Sequence, residues 1–166
     1  HNSFVDIVGT GGSKSKTFNV STAAAFVVAG EGVPVAKHGN KAATSNSGSA
    51  DVLSALGIEP ASDASTAERS LNELNLCFMF APGFHRLSPT LAKVRRGLGF
   101  PTILNCVGPL CNPASAPHQL IGVWSPELVP LMANALARLG TGKSWIVHGH
   151  DGLGEISLSE PTFVAE

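Results

Sequence analysis

The sequence predicts an α/β fold, a mostly parallel sheet flanked by helices. Short apolar runs rich in β-branched residues alternate with helical patterns, which is the order of successive βαβ units. Several of the runs, such as "LCFMFA" and "LIGVW", are apolar throughout, as strands covered on both faces are. Clusters of Gly and Ser stand at strand-to-helix junctions, and no internal repeat or linker interrupts the alternation.

In chain order, "FVDIV" (4–8) is the first expected strand, followed by a Gly and Ser-rich loop at 9–15 and a helix over Asn19 to Ala29. "VPVAK" (33–37) is the second strand, and a Gly and Ser cluster at 44–49 leads into helices over Ala50 to Leu56 and Thr66 to Leu74. A strand at 76–81, a helix over Thr90 to Leu98 and a strand "TILN" at 102–105 come next. The remainder reads as a strand at 120–124, a helix over Pro126 to Leu139 and a strand "SWIVHG" at 144–149. For that last helix Ser125 suits the N-cap, Pro126 the first helical position and Glu127 the positive end of the dipole.

Composition narrows the function classes. A chain of 166 residues with 43% hydrophobic content can bury one sizeable core, so one domain is expected. With 11 Lys and Arg against 12 Asp and Glu, the charge balance opposes nucleic acid or an anionic membrane surface as partner. Any anion must be recognised locally. No apolar run reaches the roughly 18 to 20 residues of a membrane span, and "HNSFVD" lacks a basic region followed by an apolar one, so a soluble protein is expected. Cys77, Cys106 and Cys111 are odd in number, which favours reduced thiols in a cytoplasmic protein over a disulfide framework. The start at His1 and the stop in an apolar stretch at Glu166 suggest a fragment.

Both Gly and Ser clusters lie where an open α/β sheet binds its ligand, outside the carboxyl ends of the strands. In "DIVGTGGSKSKTFNVST", Gly9, Gly11 and Gly12 let the backbone turn with its N–H groups inward, and the helix that follows adds its positive end. The pattern suits a phosphate, yet it is neither a nucleotide-triphosphate P-loop nor a dinucleotide G-x-G-x-x-G. Three glycines in a turn are also ordinary punctuation, and Asn19, Ser21 and Thr22 at the helix start are also ordinary capping residues. The second cluster, "AKHGNKAATSNSGSAD", packs Lys37, His38, Asn40, Lys41, Ser45, Ser47, Gly48 and Ser49 into thirteen residues. A lysine and several hydroxyls after a neighbouring strand could clamp the same polyphosphate, although a Lys-His pair alone is more often a solvated turn.

"DIVGTGG", "NVST", "KHGN", "SGSADVLSALG", "FAPGFH", "VRRGLG", "NCVGPLCNPA" and "VHGHDGLGE" together, in this order and spacing, resemble the anthranilate phosphoribosyltransferases. The resemblance covers nearly the whole chain. It implies the fold shared with certain nucleoside phosphorylases, with residues 1–166 as the central part of the α/β domain that binds phosphoribosyl pyrophosphate. A helical domain before it, through which members form homodimers, and further sheet and helix after it would complete the protein. It implies Mg²⁺-assisted transfer of 5-phosphoribose from phosphoribosyl pyrophosphate to anthranilate in tryptophan biosynthesis.

By the same resemblance Gly9, Gly11, Gly12, Asn19, Ser21, Thr22, Lys37, Ser45 and Ser49 bind the donor. Gly9, His38, Asn40, His85 and Arg95 bind anthranilate, and Ser21 and Glu155 hold Mg²⁺. A guanidinium at Arg95 suits a carboxylate, but in "RR" it also reads as an exposed helix arginine. Asn105, Gly108, Pro109 and Asn112 read as a buried turn beneath the site.

Four positions depart from the family pattern, which has an acidic residue at Ser13, Arg at Lys41 and Pro at Arg86. The fourth is Gly154, where an Asp beside Glu155 completes the metal pair. One carboxylate holds Mg²⁺ more weakly than two, so weakened metal binding is expected, with Asp151 able to help across a turn. Gly154 could instead answer a positive φ. Two other classes remain: a related glycosyltransferase or phosphorylase with another acceptor, and a noncatalytic relative that binds phosphate or nucleic acid.

Overall fold

The computed structural model describes residues 3–12, 17–42, 47–85, 89–98 and 100–166. A six-stranded sheet runs in the order β3-β2-β1-β4-β5-β6. Its strands are β1 (Val5–Gly9), β2 (Val35–Gly39), β3 (Leu76–Phe80), β4 (His118–Gly122), β5 (Lys143–Gly149) and β6 (Thr162–Ala165). All neighbours are parallel except β5 and β6. Because β1 pairs β2 on one side and β4 on the other, the winding reverses at β1, which creates a crevice at the carboxyl ends of the central strands.

Helices cover both faces, as buried parallel strands require. On one face α1 (Val20–Gly30) and α2 (Ser49–Ala55) bury Ala25, Ala29 and Leu53 against Val35 and Phe78. On the other, α3 (Ala64–Leu74) packs Ala67 and Leu71 on Ala36, Cys77 and Met79. There too α6 (Ile103–Leu110) and α7 (Leu128–Leu139) bring Cys106, Val129, Met132 and Leu136 onto Ile121 and Ile146. The short α4 (Ala81–Phe84) and α5 (Pro89–Leu98) lie between β3 and α6. Among the described residues no helix is long and apolar enough to cross a membrane.

The expected fold class holds, three local expectations do not, and one strand was not expected. "TILN" is the start of α6, not a strand. Thr102 caps that helix by accepting from Leu104 N at 3.3 Å, and Asn105 Oδ1 accepts from Thr102 N at 3.1 Å, a reciprocal capping box that outweighs the apolar run. Ser125 is not the N-cap of α7. Residues Ser125 to Leu128 form a turn closed by Leu128 N to Ser125 O at 3.1 Å, the helix starts at Leu128, and the Ser125 hydroxyl donates to the Glu127 carboxylate. The strand not expected is β6, whose four residues, TFVA, are too few to stand out. Ala81, expected to end a strand, opens α4, with Pro82 in its first turn.

Candidate active site

The glycine loop leaves β1 under firm control. Thr10 N donates to Gly122 O of β4 at 2.9 Å, Thr10 Oγ1 reaches the same carbonyl at 3.3 Å, and Asn105 Nδ2 of α6 donates to Thr10 O at 3.4 Å. Gly11 and Gly12 then take left-handed conformations, φ 66° and 79°, which glycine adopts without penalty. A side chain at Gly12 would also run into Pro101 at 2.9 Å. Gly9 has ordinary backbone geometry and room for a methyl group, so its place at the end of β1 is what brings it to the site.

A cavity of about 290 Å³ opens at the carboxyl ends of β1, β2 and β4. Gly9, Gly11 and Gly12 form one wall, with Asn19 and Ser21 at the start of α1 beside them. Helix α1 has no acidic residue in its first turn, so its positive end is uncompensated from within the helix. Lys37, His38, Asn40 and Ser49 form the wall from β2 and its following loop, and Glu155 closes the side beyond β4. Asn19 does not cap its helix. Its Nδ2 donates instead to Ser47 Oγ at 2.9 Å and ties the two loops across the cavity mouth.

Two predicted residues, Thr22 and His85, stand apart from this wall. Thr22 is buried in the first turn of α1, with no hydrogen-bond partner for its hydroxyl among the described residues. His85 lies behind His38, ring centroids 4.8 Å apart and edge-on. Arg95 is on α5, with its side chain outside the described residues. Ser45, Ser13 and Arg86 also fall outside them.

The electrostatics centre on Lys37, which is only 2% exposed. Its Nζ donates to Ile7 O and, at 3.1 Å, to Ser21 Oγ. Burial lowers its pKa, and the carboxylates of Asp6 and Glu155 oppose that shift. Glu155 is pushed up to about 7 by burial, with Lys37 pulling the other way. His38 is driven down to about 4 by burial, then by His85 and Lys37, against a backbone hydrogen bond with Gly108. Near neutral pH its ring is therefore uncharged, and its Nε2 has no partner among the described residues.

The glycosyl transferase family, a/b domain, matches residues 1–166. The chain belongs to that family. It is similar to the anthranilate phosphoribosyltransferases of Laribacter hongkongensis, 54% identical over 98% of this chain and 47% of the relative, and Rhodospirillum rubrum, 53% identical over the same shares. It thus spans about half the length of the curated relatives it matches. Among solved structures, the Saccharomyces cerevisiae enzyme in complex with PRPP and Mg superposes with a TM-score of 0.85 and 40% identity, covering 99% of this chain and 48% of that one. A further structure of the yeast enzyme, in complex with 4-fluoroanthranilate, gives a TM-score of 0.78 at 36% identity over the same shares.

Within this glycosyl transferase domain, Gly154 answers close packing, not positive φ. The left-handed residue of its loop is Gly152, at φ 81°. A Cβ on Gly154 would sit 3.0 Å from Val123 O, and the Gly154 carbonyl lies where a Cβ on Gly122 would be. Asp151 does not line the cavity, and its carboxylate accepts from Leu153 N at 3.0 Å and from the Ser157 hydroxyl. Gly154→Asp in the full-length protein is therefore expected to cost about 1–3 kcal/mol by overpacking. The melting temperature should fall by several degrees, and the Mg²⁺ needed for half-maximal rate should also fall. A normal melt with unchanged metal dependence would remove position 154 from the metal site.

Asp6 was not foreseen as part of this region, although a carboxylate inside an apolar strand is itself a signal. It is completely buried and pushed up to about 6 by burial, against the opposing charge of Lys37.

Proposed function

We propose that the full-length protein transfers 5-phosphoribose from phosphoribosyl pyrophosphate to the amine of anthranilate, releasing pyrophosphate, a step of tryptophan biosynthesis. The observation that carries this reading is the meeting of the Gly11–Gly12 turn, the start of α1 and buried Lys37 around one cavity. Backbone N–H groups, a helix dipole and an ammonium together suit a diphosphate. The names and bound ligands of the relatives support the same substrates.

In this reading the donor's diphosphate lies along the glycine turn and the α1 N-terminus, with Asn19, Ser45 and Ser49 as its partners and Thr22 buried behind them in the first turn of α1. The Lys37 ammonium faces the charge that grows as the bond from C1 to the pyrophosphate oxygen breaks. Stabilisation of that charge and alignment of the amine with C1 supply the rate, so no strong base is required. Uncharged His38 orients the acceptor with Gly9 and Asn40, His85 backs the His38 ring, and Arg95 takes the acceptor's carboxylate.

Glu155 and Ser21 fit Mg²⁺ at the lower end of its needs, since this cation is held by one or two carboxylates with waters and substrate phosphates. Among the described residues there is no cluster of three His, Cys, Asp or Glu to hold a metal without substrate. Lys37 lies 3.1 Å from Ser21 Oγ, so that hydroxyl holds a cation only together with the polyanionic donor. Bound Mg²⁺ supplies charge neutralisation for the departing pyrophosphate. The reading also includes a cytoplasmic homodimer joined through a helical domain outside this chain.

The test is a substrate panel on the full-length protein with phosphoribosyl pyrophosphate as donor. Anthranilate should be the preferred acceptor over aliphatic amines and nucleobases. Arg95→Ala should raise KM for anthranilate about tenfold or more, as loss of a charged hydrogen bond does, with little change in KM for the donor. A preference for another acceptor, or equal effects on both substrates, would overturn the assignment.

A further inference from the structure

The regular backbone pairing between β1 and β2 is registered only at Val5↔Val35, while the other parallel neighbours are registered over five residues each. Beyond that pair three side chains take up backbone groups along the seam. Lys37 Nζ donates to Ile7 O. Asn112 Nδ2 donates to Ala36 O at 3.0 Å. Asp6 Oδ1 accepts from His38 N at 3.2 Å. Asp6 Oδ2 and Asn112 Nδ2 are joined at 2.7 Å, which closes the set, and Asn112 Oδ1 accepts from Ala114 N at 2.8 Å, which fixes the turn after α6. All three side chains are buried.

The seam carries the two residues that the proposed function divides between substrates. Successive side chains of a strand point to opposite faces, so Lys37 turns to Ser21 of α1 while His38 turns to the α6 side, against Gly108 and His85. We propose that Asp6 and Asn112 are positioning residues that set Lys37 for the donor and His38 for the acceptor by holding the β1–β2 seam with side chains. Neither lines the cavity itself, so their effect passes through the 36–38 backbone that they hold. Alignment is what this kind of catalysis depends on, and a displacement of about 1 Å can cost on the order of a hundredfold. The inference rests on the proposed function for its consequence and on the seam geometry alone for its structure.

The experiment uses full-length wild type, Asp6→Asn, Asn112→Ala and the core control Leu136→Ala, with two readouts. Hydrogen exchange reads the seam without any substrate. In both seam variants the amides of residues 36–38 should exchange at least tenfold faster relative to that of Val35, while Leu136→Ala should leave this ratio unchanged. Steady-state kinetics reads the function: KM should rise on the order of tenfold for both substrates in the seam variants and stay at the wild-type value in the folded Leu136→Ala protein. If Asp6→Asn does not fold, Asn112→Ala carries both readouts. Unchanged exchange ratios would overturn the seam. Faster exchange with unchanged KM values would reduce Asp6 and Asn112 to structural residues. Wild type that uses neither substrate, with the exchange result as expected, would refute the proposed function and leave the seam standing.

Discussion

Lys37→Ala in the full-length protein is expected to lower kcat/KM for phosphoribosyl pyrophosphate by about a hundredfold to a thousandfold, the usual loss when one preorganised donor is removed from a developing negative charge. The size follows from burial. Only 2% of Lys37 is exposed, so its charge acts on the cavity with little screening from water. The variant also leaves Ile7 O without the Nζ donor and Asp6 without its nearby cation, which costs about 1–3 kcal/mol for the carbonyl alone. Lys37→Met keeps much of the volume and separates the two effects. Both variants should lose donor binding by titration calorimetry, while Met should melt closer to wild type. Unchanged donor affinity in a folded Lys37→Met protein would take Lys37 out of the donor site.

Glu155→Gln should have an effect of similar rank through the metal. Glu155 is the sole carboxylate along the cavity wall among the described residues, so its neutral isostere removes the charge that complements the cation. The Mg²⁺ concentration for half-maximal rate should rise more than tenfold. Acidity gives an independent sign. Burial holds the Glu155 pKa near 7, above its ordinary 4.5, so at about pH 6 a proton competes with Mg²⁺ and at about pH 8 it does not. In wild type the half-maximal Mg²⁺ concentration should therefore fall as pH rises across that interval. In Glu155→Gln this dependence should be lost. A metal requirement that is flat with pH in wild type, or unchanged in the variant, would count against Glu155 as a ligand.

What could be read in the sequence was mostly what is contiguous. The donor-side candidates sit in two short clusters immediately after strands, so their chemistry and their place in an α/β sheet were visible together. Apolar runs such as "LCFMFA" marked buried strands because parallel strands need no alternation. "TILN" failed for the same reason, since a short apolar run fits either a strand or a buried helix. The deciding signal was the Thr-x-x-Asn capping box around Thr102 and Asn105. Asp6 and Asn112 lie 106 residues apart, and no local pattern joins them. Gly154 was legible as a departure but not in its cause, because its close approach to Val123 and Gly122 depends on a loop folding back across β4. Asn19 looked like a cap, and only the fold shows that it spans to Ser47.

The central claim is that the crevice between the glycine turn and Lys37 holds phosphoribosyl pyrophosphate. Titration calorimetry of the full-length protein with this donor, with and without Mg²⁺, tests it most directly. One site per chain is predicted, tighter with Mg²⁺ than without, and weakened at least tenfold by Lys37→Met. Absence of donor binding by folded wild-type protein, or binding that ignores both Mg²⁺ and residue 37, would contradict it.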